Sequence, residues 1–211
     1  MLKLQESVKI LYTLWIYITT YMGGCLEVNS EKKFQKHKLR FFPDVTLDSV
    51  IIVSMVNQIL IMICSFIDEW NDHFTPSNIP EFKDEIIRFK TVMKPVFKRI
   101  NRWSNLKDYR NTVLAHNFRN KGESILREEV KAMKTPLRPD EIFEITVLLN
   151  IVVLELMQKF SNYIALEDYV DMFAKVPKFS SVVGADKKEV ELIIKEVNDL
   201  ISVHYQQKES I

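Results

Sequence analysis

The sequence predicts an all-helical protein built as one domain, and three observations predict it. Only 4 Gly and 7 Pro punctuate 211 residues, too few turn formers for a sandwich or barrel of many short strands. Hydrophobic residues make up 47% of the chain, enough for a substantial core. Apolar residues also recur at three- and four-residue spacings over long stretches, as in helices that bury one face. Lys and Arg (29) nearly balance Asp and Glu (28), for a formal net charge of +1. No whole-molecule field therefore draws the chain to a polyanion, and any such contact has to be local.

A first helix is expected from about Leu2 to Met22, stopped by Gly23-Gly24. A basic loop follows, Glu31 to Arg40, with Lys32, Lys33, Lys36, His37, Lys38 and Arg40 ahead of Phe41-Phe42-Pro43. Thr46 is placed to cap a second helix running to about His73, with Asp48 near its positive end. After Thr75-Pro76-Ser77, a third helix from about Pro80 carries Phe82, Ile86, Phe89, Met93, Val96, Phe97 and Ile100, and Pro95 should kink it. Ser104 or Asn105 caps a short fourth helix to about Phe118. The segment from Glu123 to Leu137 reads ambiguously. Pro139-Asp140-Glu141 opens a strong helix to about Ile164, with Ile142, Ile145, Leu148, Leu149, Val152, Leu156 and Phe160 on its apolar side. Beyond the broken stretch Ala165 to Gly184, Asp186 and Glu189 begin a last helix with Val190, Ile193, Ile194, Val197 and Ile201 in register. Short connections favour an antiparallel bundle of the middle helices, residues 46–164, with the terminal helices packed outside it and 165–211 as a C-terminal helical extension.

Two segments bear on location. Ile10 to Met22 resembles a signal sequence, and Met22-Gly23-Gly24-Cys25 faintly echoes a lipoprotein site, but Lys3, Glu6, Lys9 and the Tyr and Thr content argue against export. Val50 to Ile67 approaches the roughly 20 residues of a membrane span. Its central Asn57-Gln58 pair is costlier in lipid than in a core that supplies partners, so a central bundle helix is expected. Cys25 and Cys64 have no metal-ligand spacing, and a reducing compartment fits them. The expectation is a cytoplasmic protein with no membrane partner, no metal and no cofactor.

One segment, Asn105 to Phe118, carries a chemical signature: Tyr109, Arg110, Asn111, His116 and Asn117 on one short helix. On a regular wheel Val113 centres an apolar stripe beside Leu106 and Tyr109, and Arg110 and His116 flank it by about 60° on opposite sides. They stand roughly 9 Å apart along the axis, so one chain presents a sparse site, and a two-fold dimer would double it. Such a cluster suits metal-free RNA cleavage. A neutral imidazole takes the 2′-hydroxyl proton, and a guanidinium offers fixed donors where charge develops on the phosphate. Asn111 and Asn117 are placed to orient the imidazole or the phosphate, and Tyr109 and Asn117 are read as RNA-contacting residues. The bland alternative is an Arg110 paired with a buried carboxylate and a His116 satisfied at an interface.

The run Tyr-Arg-Asn-Thr-Val-Leu-Ala-His-Asn resembles the HEPN superfamily signature, an Arg followed by a polar residue and then a His on a bundle helix. Its setting, with long apolar helices before and after, is similar to the branch associated with abortive infection and phage defence, over about 115 residues from Thr46 to Ile164. The resemblance implies a HEPN-like four-helix bundle, a homodimer and, in active members, a metal-independent endoribonuclease toxin whose matching residues are Arg110, Asn111 and His116. Cognate antitoxins or regulatory proteins are implied partners. A tyrosine modified in some members is Phe118 here, which puts that control in doubt, and other members act as non-catalytic modules binding nucleotide, RNA or protein.

Further candidates surround this motif. Lys94, Lys98 and Arg102 recur every four residues as a possible phosphate rail, against a simple solvated face. The Lys32 to Arg40 cluster with Phe41 and Phe42 offers an RNA backbone contact and a stacking ring, against a solvated loop. Glu69 and His73 have helical metal-ligand spacing but no third ligand, so His73 reads as a dipole-favoured residue. His37 and His204 have no partner in sequence.

Overall fold

The computed structural model describes residues 2–114, 119–120, 123–124, 134–136, 138–161 and 187–205. It is dominated by helices: α1 (Leu2–Ser30), α2 (Lys32–Lys36), α3 (Leu47–Asp68), α4 (Lys83–Val92), α5 (Lys94–Ile100), α6 (Leu106–Tyr109), α7 (Pro139–Phe160) and α8 (Lys187–Tyr205). Two small antiparallel hairpins interrupt it, β1 (Lys38–Leu39) with β2 (Phe42–Thr46) and β3 (Arg119–Asn120) with β4 (Glu123–Ser124). The all-helical expectation thus holds in the coarse sense.

The first helix departs from expectation in length and place. It runs through Gly23-Gly24 to Ser30 instead of stopping there. Gly23 is buried, and a Cβ added at Gly24 would come within 3.0 Å of the Met55 Cε. Gly24 therefore lies against the Met55 side chain of α3, and the pair does not end the helix. Nor is α1 an outer helix: Leu4, Val8, Leu11 and Ile18 are fully buried, and α1 packs along α3 and against α7. Its membership of the core follows from the apolar run that imitates a signal sequence.

The basic loop folds into α2 and the first hairpin. Thr46 does precede α3, but the hydroxyl of Ser49 donates to its carbonyl at 2.7 Å, and the Leu47 N–H donates to the His37 carbonyl at 2.9 Å. Leu47–His73 is the one described stretch long and apolar enough to cross a membrane. Ile59, Leu60, Ile63, Cys64 and Phe66 in its second half are core residues, whereas Val50 and Val53 in its first half are exposed. Beyond Asp68 the helix widens into a π turn, Glu69–His73, closed by the Phe74 N–H on the Glu69 carbonyl at 2.8 Å.

Pro95 acts as expected. The third helix divides into α4 and α5 at Met93, with Pro95 in the first turn of α5, where its missing N–H costs nothing. The fourth changes its winding within the expected span: α6 gives way at Arg110 to a second π turn, Arg110–Leu114, and residues 115–118 lie outside the described residues. α7 supplies a fully buried row, Ile145, Leu148, Leu149, Val152, Val153 and Leu156. α8 seats Val190, Ile193 and Val197 on α4, α5 and α7. Trp70 stacks on Phe97 with centroids 4.4 Å apart, and Phe74, Phe89 and Phe160 meet edge to face around it. Residues 125–133 and 162–186, containing most of the ambiguous segment and the broken stretch, lie outside the described residues.

Candidate functional site

Arg110 and Asp68 meet where two helices change their winding. Asp68 is the last residue of α3 before its π turn, and Arg110 the first of the π turn after α6. Insertions of this kind are uncommon and concentrate at functional positions. A regular wheel assumes 100° per residue throughout and does not describe the wider winding that begins at Arg110.

The guanidinium is held at two points. Its Nη1 donates to Asp68 Oδ2 at 2.6 Å, and its Nε donates to Asn111 Oδ1 at 3.0 Å. Lys107 Nζ donates to the other Asp68 oxygen at 3.0 Å. The Arg110 side chain is 19% exposed and that of Asp68 30%, so the pair is half-buried and not sealed. Among the described residues no partner takes Nη2. This carboxylate contact is the bland reading of Arg110 in part, and it restricts the guanidinium to one orientation. Asn111 turns out to orient the arginine.

Partial burial by itself would raise the Asp68 pKa, but the hydrogen bonds from Arg110 and Lys107 outweigh it and hold the carboxyl below its ordinary value. Arg110→Met should shift the Asp68 titration upward in carboxyl-detected NMR. Because the folded value is the depressed one, the pair's contribution to stability is present above the unfolded carboxylate pKa and is lost as pH falls through the folded value. An unchanged Asp68 titration in the variant would contradict the pairing.

Beside this pair lies a cavity of about 310 Å³, lined by Cys64, Asp68, Asn101, Trp103, Ser104 and Lys107 among others. Burial pushes the Cys64 thiol up to about 11, so it is no thiolate nucleophile. Its Sγ lies 3.6 Å from the Leu106 carbonyl oxygen.

The remaining sequence candidates are dispersed. Tyr109 is 8% exposed and belongs to the core, contrary to its expected place on an RNA-facing surface. Arg102 does not continue a rail from Lys94 and Lys98: it pairs with Glu189 of α8, which also meets Arg99. Lys94 and Lys98 instead line a second recess with Lys90, Trp70, Phe97 and Asn101. Lys90 is a residue that the four-residue count from Lys94 would have found in the other direction. His116 and Asn117 lie outside the described residues. Phe41 and Phe42, at the turn of the first hairpin, are 82% and 64% exposed, and the Arg40 guanidinium lies 5.7 Å from the Phe41 ring centre. Glu69 is buried and accepts from the Ser7 hydroxyl at 2.6 Å, in a cavity that His73 and Lys3 also line.

Comparison with family models, with curated proteins and with solved structures finds no match to this chain.

Proposed function

We propose that the protein is a HEPN-type, metal-independent endoribonuclease acting as a toxin or phage-defence effector in the cytoplasm, as a homodimer under the control of a cognate antitoxin or regulatory protein. The observation that carries the reading is Arg110, a half-buried guanidinium fixed by Asp68 and Asn111 at a π turn beside an open cavity. A cation oriented in advance stabilises developing charge without reorganising during reaction.

In this scheme His116 accepts the proton of a 2′-hydroxyl, the freed oxygen attacks the adjacent phosphorus, and the 5′-oxygen leaves with a proton returned by an imidazole. Arg110 donates to the phosphate oxygens, and Asn111 is a positioning residue for it. The chemistry requires no cofactor. A two-fold pairing about this face supplies a second arginine and histidine, which answers the sparseness of one chain.

The Asp68–Arg110 pair specifically favours a second reading, a non-catalytic module of the same fold that binds nucleotide, RNA or a protein through this face, because part of the guanidinium's capacity is already used. The two separate in one experiment. Wild type and His116→Ala are expressed, and growth and cleavage of a structured RNA in EDTA are followed. The nuclease reading expects growth arrest and cleavage from wild type alone. Equal behaviour of the two proteins removes it and leaves the binding module.

A further inference from the structure

We propose that the recess between the π turn Glu69–His73 and the lysines of α4 and α5 is a binding track for the backbone of single-stranded RNA, with Lys90, Lys94 and Lys98 on phosphates and Asn101 at its exit toward Arg110. The proposal rests on the RNA reading above for its ligand, but on different residues. The recess measures about 370 Å³. Its three ammonium groups come from successive helical turns, Lys90 at the end of α4 and Lys94 and Lys98 on α5. Four residues of helix rise about 6 Å, a step comparable with that between neighbouring phosphates of an extended strand.

Lys90 is the distinctive member. Its Nζ donates to the Trp70 carbonyl at 2.6 Å and lies 5.0 Å from the Trp70 ring centre and 6.0 Å from that of Phe74. One of its three donors is therefore used, and two remain for an anion. The ammonium sits half-buried on aromatic rings, where burial lowers its pKa to about 8 against the opposing influence of Asp72. An anion bound there would offset that penalty by favouring the charged ammonium. Lys94 and Lys98 are exposed and, among the described residues, form no ion pair with a carboxylate.

Position gives the recess its meaning. Asn101 lines both this recess and the cavity beside Asp68 and Lys107, so a strand lying along the lysines is led to the Arg110 face. A single strand fits better than a duplex: its phosphodiester chain is flexible enough to bend into the recess and reach Lys90, whereas a stiff duplex would touch only Lys94 and Lys98. Trp70 and Phe97 are 4% and 9% exposed, so they form an apolar floor under the lysine stems and are too covered to stack bases. Specificity for base sequence is accordingly not expected.

The test measures binding of a labelled single-stranded RNA and of a duplex of equal length by anisotropy across a salt series, in the full chain carrying His116→Ala so that the ligand survives. Lys94→Ala/Lys98→Ala is compared with Lys188→Ala/Lys195→Ala on α8, which removes the same charge elsewhere. Lys90→Met tests the recessed contact, with thermal melting as a check on folding. The groove double variant should bind single strands at least about 10-fold more weakly, with a salt slope shallower by roughly 1.4, the share of two phosphates on a single strand. The control pair should bind as the parent does, and the duplex should bind more weakly than the single strand. Equal losses in groove and control variants, no loss in the groove variant, a duplex bound as tightly as the single strand, or no RNA binding at all would overturn the track. RNA binding that depends on Lys94 and Lys98 in a protein whose wild type does not cleave would keep the track and remove the nuclease reading.

Discussion

Arg99→Ala is expected to destabilise the protein by about 3–5 kcal/mol, the typical effect of removing one partner from a buried ion pair. Arg99 joins three helices. Its Nε lies 2.7 Å from Glu144 Oε1 of α7 and 3.1 Å from Glu189 Oε2 of α8, and its Nη2 donates to Glu144 Oε2 at 3.0 Å. The Glu144 side chain is only 5% exposed. Without the guanidinium, its carboxylate would be left with less of its charge neutralised next to the apolar residues of α7, and Glu189 would lose one of its arginine partners. The guanidinium also lies 4.7 Å from the Trp103 ring centre, so packing is lost along with charge. Urea denaturation measures the effect. Arg99→Ala combined with Glu144→Leu should recover much of the loss, because the buried carboxylate that faced Arg99 is then gone. A loss under about 1 kcal/mol would mean that the pair is solvated and exposed in solution.

Trp70→Ala should cost a similar amount, about 3–5 kcal/mol, as large aromatic truncations in a core do. The ring is 4% exposed and touches Phe74, Phe89 and Phe97. It also underlies the Lys90 ammonium. The cavity would open in the π turn next to Asp68, so the variant should lose protection in the amides of 69–74 before the rest of the molecule, as read by hydrogen exchange. Trp70→Phe, which keeps an aromatic ring there, should lose markedly less. Equal melting of Trp70→Ala and wild type would show that this cluster does not hold the α3 end in place.

The parts of this fold that could be read from sequence are those governed by periodicity. The apolar row of α7 lies where spacing puts it, that of α8 does so at Val190, Ile193 and Val197 while Ile194 is exposed, and Pro95 divides its helix because a missing N–H is tolerated only in a first turn. What escaped depends on contacts distant in the chain or on short changes of winding. Gly23-Gly24 is equally suited to ending a helix and to letting two helices touch, and only the position of Met55 decides which. The π turns at 69–73 and 110–114 leave no periodic trace over five residues, and each changes which side chains share a face. Asp68, the carboxylate that holds Arg110, is 42 residues away in the chain, and no local pattern announces such a pair. Arg110 and Asn111 are neighbours in the chain, yet nothing in their order announces that the amide oxygen of Asn111 accepts from the guanidinium. Tyr109 was misassigned because a ring beside a polar motif can point into the core as readily as out of it.

The most direct test of the central claim is the chemistry of the RNA ends made by the wild-type protein in EDTA. Attack by a 2′-hydroxyl predicts fragments ending in 2′,3′-cyclic phosphate and beginning with 5′-hydroxyl, formed by wild type and lost together in Arg110→Met and His116→Ala. Fragments bearing 5′-phosphate and 3′-hydroxyl, or cleavage that survives both substitutions, would contradict it.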